Sequence, residues 1–143
     1  MPNLSDSVGL IKVQDHTTAN TTTVTSDAID MLGYEGVLIL TSFGTAAANN
    51  TVKVQQSSDD GSTDAYSDLE GTSVVSGTSD EDVWVDVVKP TKRYLKLVAA
   101  RGTSSTLESI WAIRYGARKQ PVDNTTSGTI IGEAHVSPAE GTA

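Results

Sequence analysis

The chain has no cysteine, which excludes a disulfide framework, zinc–thiolate centres and thiol catalysis. A small domain without cysteine takes its stability from one continuous core or from partners in an oligomer. Aromatic residues are scarce at 5%, with a single Phe, and hydrophobic residues reach only 37%. The longest apolar run, residues 37–40, is far too short to cross a bilayer, so no membrane association is expected. Residues 1–6 lack a basic stretch followed by an apolar one, and no secretory signal is expected there. Histidine is limited to His16 and His135, and neither has a neighbouring nucleophile or carboxylate pair in the pattern of a catalytic base. Glycine-rich phosphate loops and zinc spacings are also missing. These gaps predict a protein that is not an enzyme and carries no cofactor.

Positive charge is short as well. Lys and Arg number 10 against 18 Asp and Glu, for a net charge of −8, which opposes non-specific nucleic-acid binding. The imbalance is uneven along the chain. Between Asp59 and Asp82 there are eight acids and no base, whereas between Lys89 and Lys119 there are eight bases and one acid, Glu108. Solvated loops of differing sign explain this; so do oppositely charged surfaces meeting between subunits, with Lys92, Arg93 and Arg118 on the basic side.

What the chain has in quantity is Ser and Thr, about a quarter of its residues. Thr suits a half-exposed strand and Ser suits turns, so the composition is that of a β protein. Helical periodicity is absent apart from a candidate single turn over residues 26–32. Strand signals recur at the spacing of a sandwich: residues 8–14, 21–25, 37–41, 51–57, 82–88, 93–99 and 107–118, with weaker segments at 65–69 and 73–76. Residues 37–41 are apolar on both faces, which predicts a central strand covered on both sides. Asp59-Asp60-Gly61-Ser62 reads as a hairpin turn closed by the positive φ of Gly61. The expected fold is an all-β antiparallel sandwich, jelly-roll-like, with about eight strands. Leu38, Leu40, Val54, Val85, Leu95, Leu97 and Ile113 are the predicted core. One domain covers residues 7–118, after an N-terminal extension at 1–6.

From residue 119 onward the pattern thins into a linker and an extended arm. Ile130, Ile131 and Val136 are its apolar residues, and Gly128 and Gly132 are bending points. Too few apolar side chains are present for a core, so the arm is expected to order against a neighbouring chain. Asp59, Asp60 and Asp64 supply hard oxygen atoms, but their spacing is not that of an EF-hand, and turn formation is the better account. Trp84, Trp111, Tyr34, Tyr66, Tyr94 and Tyr115 fit either packing positions or a sugar-stacking platform.

The segment Val54-Gln55-Gln56-Ser57-Ser58-Asp59-Asp60-Gly61-Ser62, with the later Lys92-Arg93-Tyr94-Leu95-Lys96-Leu97, is similar to jelly-roll carbohydrate-binding and discoidin-like domains. It departs from them at Asp64-Ala65, where those domains hold an aromatic residue. Over its whole length the Thr-rich β domain with a tail Ile131-Gly132-Glu133-Ala134-His135-Val136-Ser137-Pro138 resembles small tailed-bacteriophage capsid decoration (cement) proteins. That resemblance implies a virion protein, made in the host cytoplasm. It would bind the outer capsid surface, with the major capsid protein lattice as partner. It would act as a homo-oligomer, a trimer being favoured, and tie capsomers together. A carbohydrate-binding module of a phage tail or fibre is the alternative.

Overall fold

A computed structural model of the chain describes residues 2–45, 49–124 and 129–143. Its strands are β1 (Gly9–Gln14), β2 (Thr17–Asn20), β3 (Val24–Thr25), β4 (Ile29–Asp30), β5 (Gly36–Phe43), β6 (Thr51–Ser57), β7 (Ser67–Asp68), β8 (Val74–Val75), β9 (Glu81–Val88), β10 (Tyr94–Ala100), β11 (Ser105–Leu107) and β12 (Ile110–Tyr115). Four consecutive pairs run along one line each: β1 with β2, β3 with β4, β7 with β8, and β11 with β12. Counted by line, one antiparallel sheet reads β1/β2, β12/β11, β5, β9, and the other reads β3/β4, β10, β6, β7/β8. First beside last, third beside sixth in one sheet, and second beside seventh, fourth beside fifth in the other, is the order of a jelly roll. The fold is thus the antiparallel β-sandwich the sequence predicts.

The only helix among the described residues is a short 3-10 turn, Leu4–Asp6. The candidate turn over 26–32 is instead extended: Ile29 and Asp30 pair with Leu95 and Tyr94 of β10. Ile29 is fully buried there, and that burial outweighs a weak helical signal.

The core lies between the sheets. Val37, Ile39, Phe43, Val85, Leu107, Ile110 and Ala112 point inward from one sheet, facing Ile29, Val52, Val54, Leu95, Leu97 and Ala99 of the other. Where one face of a strand is apolar, as in β6, β9 and β10, alternation places Val54, Val85, Leu95 and Leu97 inside as predicted. Three predicted core residues are corrected. Leu38, Leu40 and Ile113 point away from the core, because Val37, Ile39, Ile110 and Ala112 take the inward positions of β5 and β12. β5 is central, between β12 and β9, but among the described residues no third layer of strands covers its second face.

Two polar groups are buried at one end of the sandwich. Arg101 donates from Nε to Thr22 O and from Nη1 to Thr18 O and Ser105 O, each at 2.8 Å. Asn50 donates to Thr45 O at 2.7 Å and Ser105 Oγ at 2.9 Å and accepts from Gly102 N at 2.7 Å. Arg101 ties the ends of β2 and β11 to the link after β2, and Asn50 ties the start of β6 to the link between β10 and β11.

The segment after residue 118 is in part tied to its own domain, which corrects the expectation that it orders only against a neighbour. Val122 N donates to Asp6 O at 2.8 Å. Asn124 accepts from Leu10 N at 2.8 Å and donates to Ser5 O at 2.7 Å and Val8 O at 3.0 Å. Its amide thus occupies the open edge of β1 as a strand would. Ile130 is buried, lining a groove with Leu10 and Trp111, whereas Ile131 and Val136 are exposed. Gly128 lies outside the described residues.

Candidate functional site

The outward face of the β1–β12–β5–β9 sheet is built from residues that alternation denies to the core. Register fixes two rows across it. Leu10, Ile113, Leu38 and Asp86 form one; Lys12, Trp111, Leu40 and Trp84 form the other. Adjacent strands are about 4.8 Å apart, so Trp111 and Trp84 flank Leu40 with their backbones about 10 Å from each other. Trp84 is 64% exposed. A groove of about 710 Å³ lies here, floored by Leu38 and Leu40 and walled by Trp84 and Trp111.

The rim is acidic. Along β9 the outward residues are Asp82, Trp84 and Asp86, separated by the inward Val83 and Val85. Glu108 joins them from the link between β11 and β12, and Ser42 and Ser109 add hydroxyls. No Lys or Arg lines the groove. The base in the same row, Lys12, lies beyond Trp111 and pairs with Asp15 at 2.7 Å. Glu108 faces His16 Nδ1 at 3.2 Å. Asp86 accepts from the Tyr115 hydroxyl at 2.6 Å. Burial, and secondarily this contact with a carboxylate, pushes the Tyr115 phenol up to about 12.

The residues predicted to bind partners or metal sit elsewhere. Asp59 accepts from Thr63 Oγ1 at 2.5 Å and from the Thr63 and Asp64 amides, which holds its carboxyl down to about 2. Asp64 accepts from Ser58 N at 2.8 Å and from Lys92 Nζ at 2.6 Å. Asp60 accepts from Tyr66 Oη at 2.6 Å and lies 3.9 Å from Lys96 Nζ. These carboxylates shape the turn after β6, where Asp60 and Gly61 both have positive φ (58° and 80°).

Arg93 forks onto Asp30, with Nε and Nη2 each at 2.8 Å, and this holds Asp30 below the usual carboxylate range. Lys53 pairs with Asp68 at 2.7 Å. Much of the acidic stretch is therefore neutralised within the chain by the other sheet's own bases. Arg118 is exposed beside Leu32 and Lys89 at one end of the sandwich. Of the aromatics, Tyr34 stacks under Arg114, Tyr66 under Lys96 and Tyr94 under Arg93, with cation-to-ring distances of 4.3, 4.4 and 5.0 Å. Trp84 and Trp111 alone line the apolar groove. The signal for this site was the pair of strands apolar on both faces, together with the alternation Asp82-Val83-Trp84-Val85-Asp86.

No protein-family model matches the chain, and no curated protein matches it in sequence. Comparison with solved structures gives matches of differing extent. The SPBc2 prophage-derived protein YomS superposes with a TM-score of 0.51 at 6% identity, over 80% of this chain and 96% of that one. A subunit of the disulfide-linked pili of Bacillus endospore appendages gives 0.41 at 17% identity, over 80% and 93%. The tobacco streak virus coat protein gives 0.39 at 12% identity, over 92% and 100%. The likeness to YomS is one of fold.

Proposed function

We propose that this chain is a virion structural protein without enzymatic activity, which binds the outside of an assembled phage capsid and stabilises contacts between capsomers. The observation that carries this reading is the apolar outward face of the β1–β12–β5–β9 sheet. An antiparallel sheet with one wet side alternates apolar-in with polar-out. Here Leu38, Leu40, Trp84, Trp111 and Ile113 occupy the wet side. Such a patch on a small domain marks an interaction surface. The prophage source of the structurally similar YomS agrees with a phage setting.

The mechanism is physical. A protein that binds the assembled lattice and not its separated subunits stabilises the lattice by mass action. Many copies, acting as homo-oligomers with a trimer favoured, add avidity. Cryo-electron microscopy of particles carrying this chain tests the reading. Density on the shell, with the Trp84 face toward the capsid, is expected, and a Trp84→Ser variant that folds normally should leave the shell bare. Density confined to the tail, or full decoration by Trp84→Ser, overturns it.

A second reading, a carbohydrate-binding module, is favoured by the Trp84–Leu40–Trp111 row, since two indoles across a groove suit stacking on a sugar ring.

A further inference from the structure

Resting on the reading of this face as a docking surface, we propose that the slot between Trp84 and Trp111 receives a Lys or Arg side chain from a protruding basic loop of the partner protein. Alternation along β9 brings Asp82, Trp84 and Asp86 out on one face, so an indole stands between two carboxylates. Their cross-strand partners are Ser42, Leu40 and Leu38, which neutralise neither acid. Glu108 adds a third carboxylate. Cations facing this cluster are few. His16 touches Glu108 from the link between β1 and β2, and Lys12 is held behind Trp111 by Asp15.

A side chain matching this lining has an apolar stem and a positive head. The stem of Lys or Arg packs on Leu40 and the indoles, while the head reaches the rim carboxylates. Trp is the strongest of the cation–π rings, and the contact gains when it is desolvated. Two strand spacings leave room for one such stem in contact with both rings, each contact needing about 3.5–4 Å. The net charge of −8 draws a basic loop toward the groove and sets copies of this chain against one another. Of the chain's own bases, Lys53, Lys92, Arg93 and Lys96 are paired with Asp68, Asp64, Asp30 and Asp60, and Lys89 and Arg118 lie together beside Leu32 at one end of the sandwich. The groove calls for a basic segment, and the repulsion between copies of net charge −8 favours a foreign one over a second copy.

The chain has two Trp, both in this slot, so its intrinsic Trp emission reports the slot directly. The probe is the blocked peptide Leu-Arg-Leu, compared with blocked Leu-Gln-Leu, which keeps the shape and removes the charge. A saturable emission change with Leu-Arg-Leu is expected, at least about tenfold weaker for Leu-Gln-Leu and weakened by salt. An Asp82→Asn/Asp86→Asn variant with unchanged melting temperature should lose it. Equal binding of the two peptides, or of neither, overturns the proposal, as does a response to neutral oligosaccharides alone. Concentration-dependent self-association abolished by the same double variant also overturns it, because the occupant is then a second copy. Particle decoration separates the two levels. If wild-type protein coats shells and Trp84→Ser does not, yet Leu-Arg-Leu fails to bind, the docking face stands and the basic occupant falls.

Discussion

The ring of Tyr115 lies directly over Gly36, at the place a β-carbon would occupy, and reaches across β5 to donate its hydroxyl to Asp86 at 2.6 Å. Gly36 has no side chain to pack, and the neighbouring strand's aromatic covers it. A Gly36→Ala substitution drives a methyl into the ring, and overpacking of this kind costs about 1–3 kcal/mol. Urea denaturation should show that loss, and a Tyr115→Ala background should remove most of it. An equal cost in both backgrounds would place the effect in the backbone instead.

The Tyr115 phenol, pushed up to about 12, gives an alkaline signature. Its folded-state value exceeds the unfolded one near 10, so the stabilisation is complete below about pH 10 and is lost as pH rises toward 12. Absorbance titration of the phenolate should show this late ionisation. Asp86→Asn should bring it part of the way down, because burial is the larger cause and persists.

Acid has its own signature in Asp59, held down to about 2 chiefly by the Thr63 hydroxyl and amide. A depressed value means that its contribution is present above about pH 4 and disappears as pH falls toward 2. Thr63→Val removes the hydroxyl hydrogen bond, the strongest of those holding the charge, so the Asp59 carboxyl should titrate at higher pH. Carboxyl carbon NMR shifts measure it directly, and an unmoved titration curve would mean that the amides alone hold the charge.

Leu97 is 1% exposed, and Leu97→Ala should cost about 2–5 kcal/mol. Leu38→Ala, on the open face, should cost about 1 kcal/mol in the isolated chain, because less of its surface leaves water on folding. The contrast in thermal denaturation is the measurement, and equal losses would mean that the assigned faces of β5 are reversed.

Arg101→Met keeps the length of the stem but leaves the carbonyls of Thr18, Thr22 and Ser105 without their donor. Loss of at least about 2 kcal/mol is expected, since hydrogen bonds to a charged group are the stronger kind. Lys at this position should restore little, having no planar fork to reach three carbonyls at once.

The sequence makes the sandwich legible because most strands declare a single apolar face. In β6, β9 and β10, Val54, Val85, Leu95 and Leu97 alternate with polar residues, and only one orientation buries them. β5 and β12 declare no such preference. Val37 and Ile39 are as apolar as Leu38 and Leu40, and the small Ala112 competes with the larger Ile113 for the interior. Taking Leu38, Leu40 and Ile113 as the inward set reverses both strands together, because Ile113 pairs with Leu38. Alternation alone does not choose between two apolar faces. The acidic turn was readable as a turn, while its pairing with Lys92 and Lys96 rests on contacts distant in sequence.

Asn124 gives the sheet a direction of growth. With its amide seated on Leu10 N and Val8 O, it stands as a stopper at the β1 margin, where a strand from another molecule would otherwise pair. The opposite margin, β9, has β5 as its one ladder neighbour among the described residues. On this sheet lateral pairing is therefore blocked at β1 and left to β9 and to the short β2, while the other sheet has its own margins in the two-residue strands β3, β4, β7 and β8. Of these margins β9 is the one long enough, at eight residues, to template a full strand from another molecule.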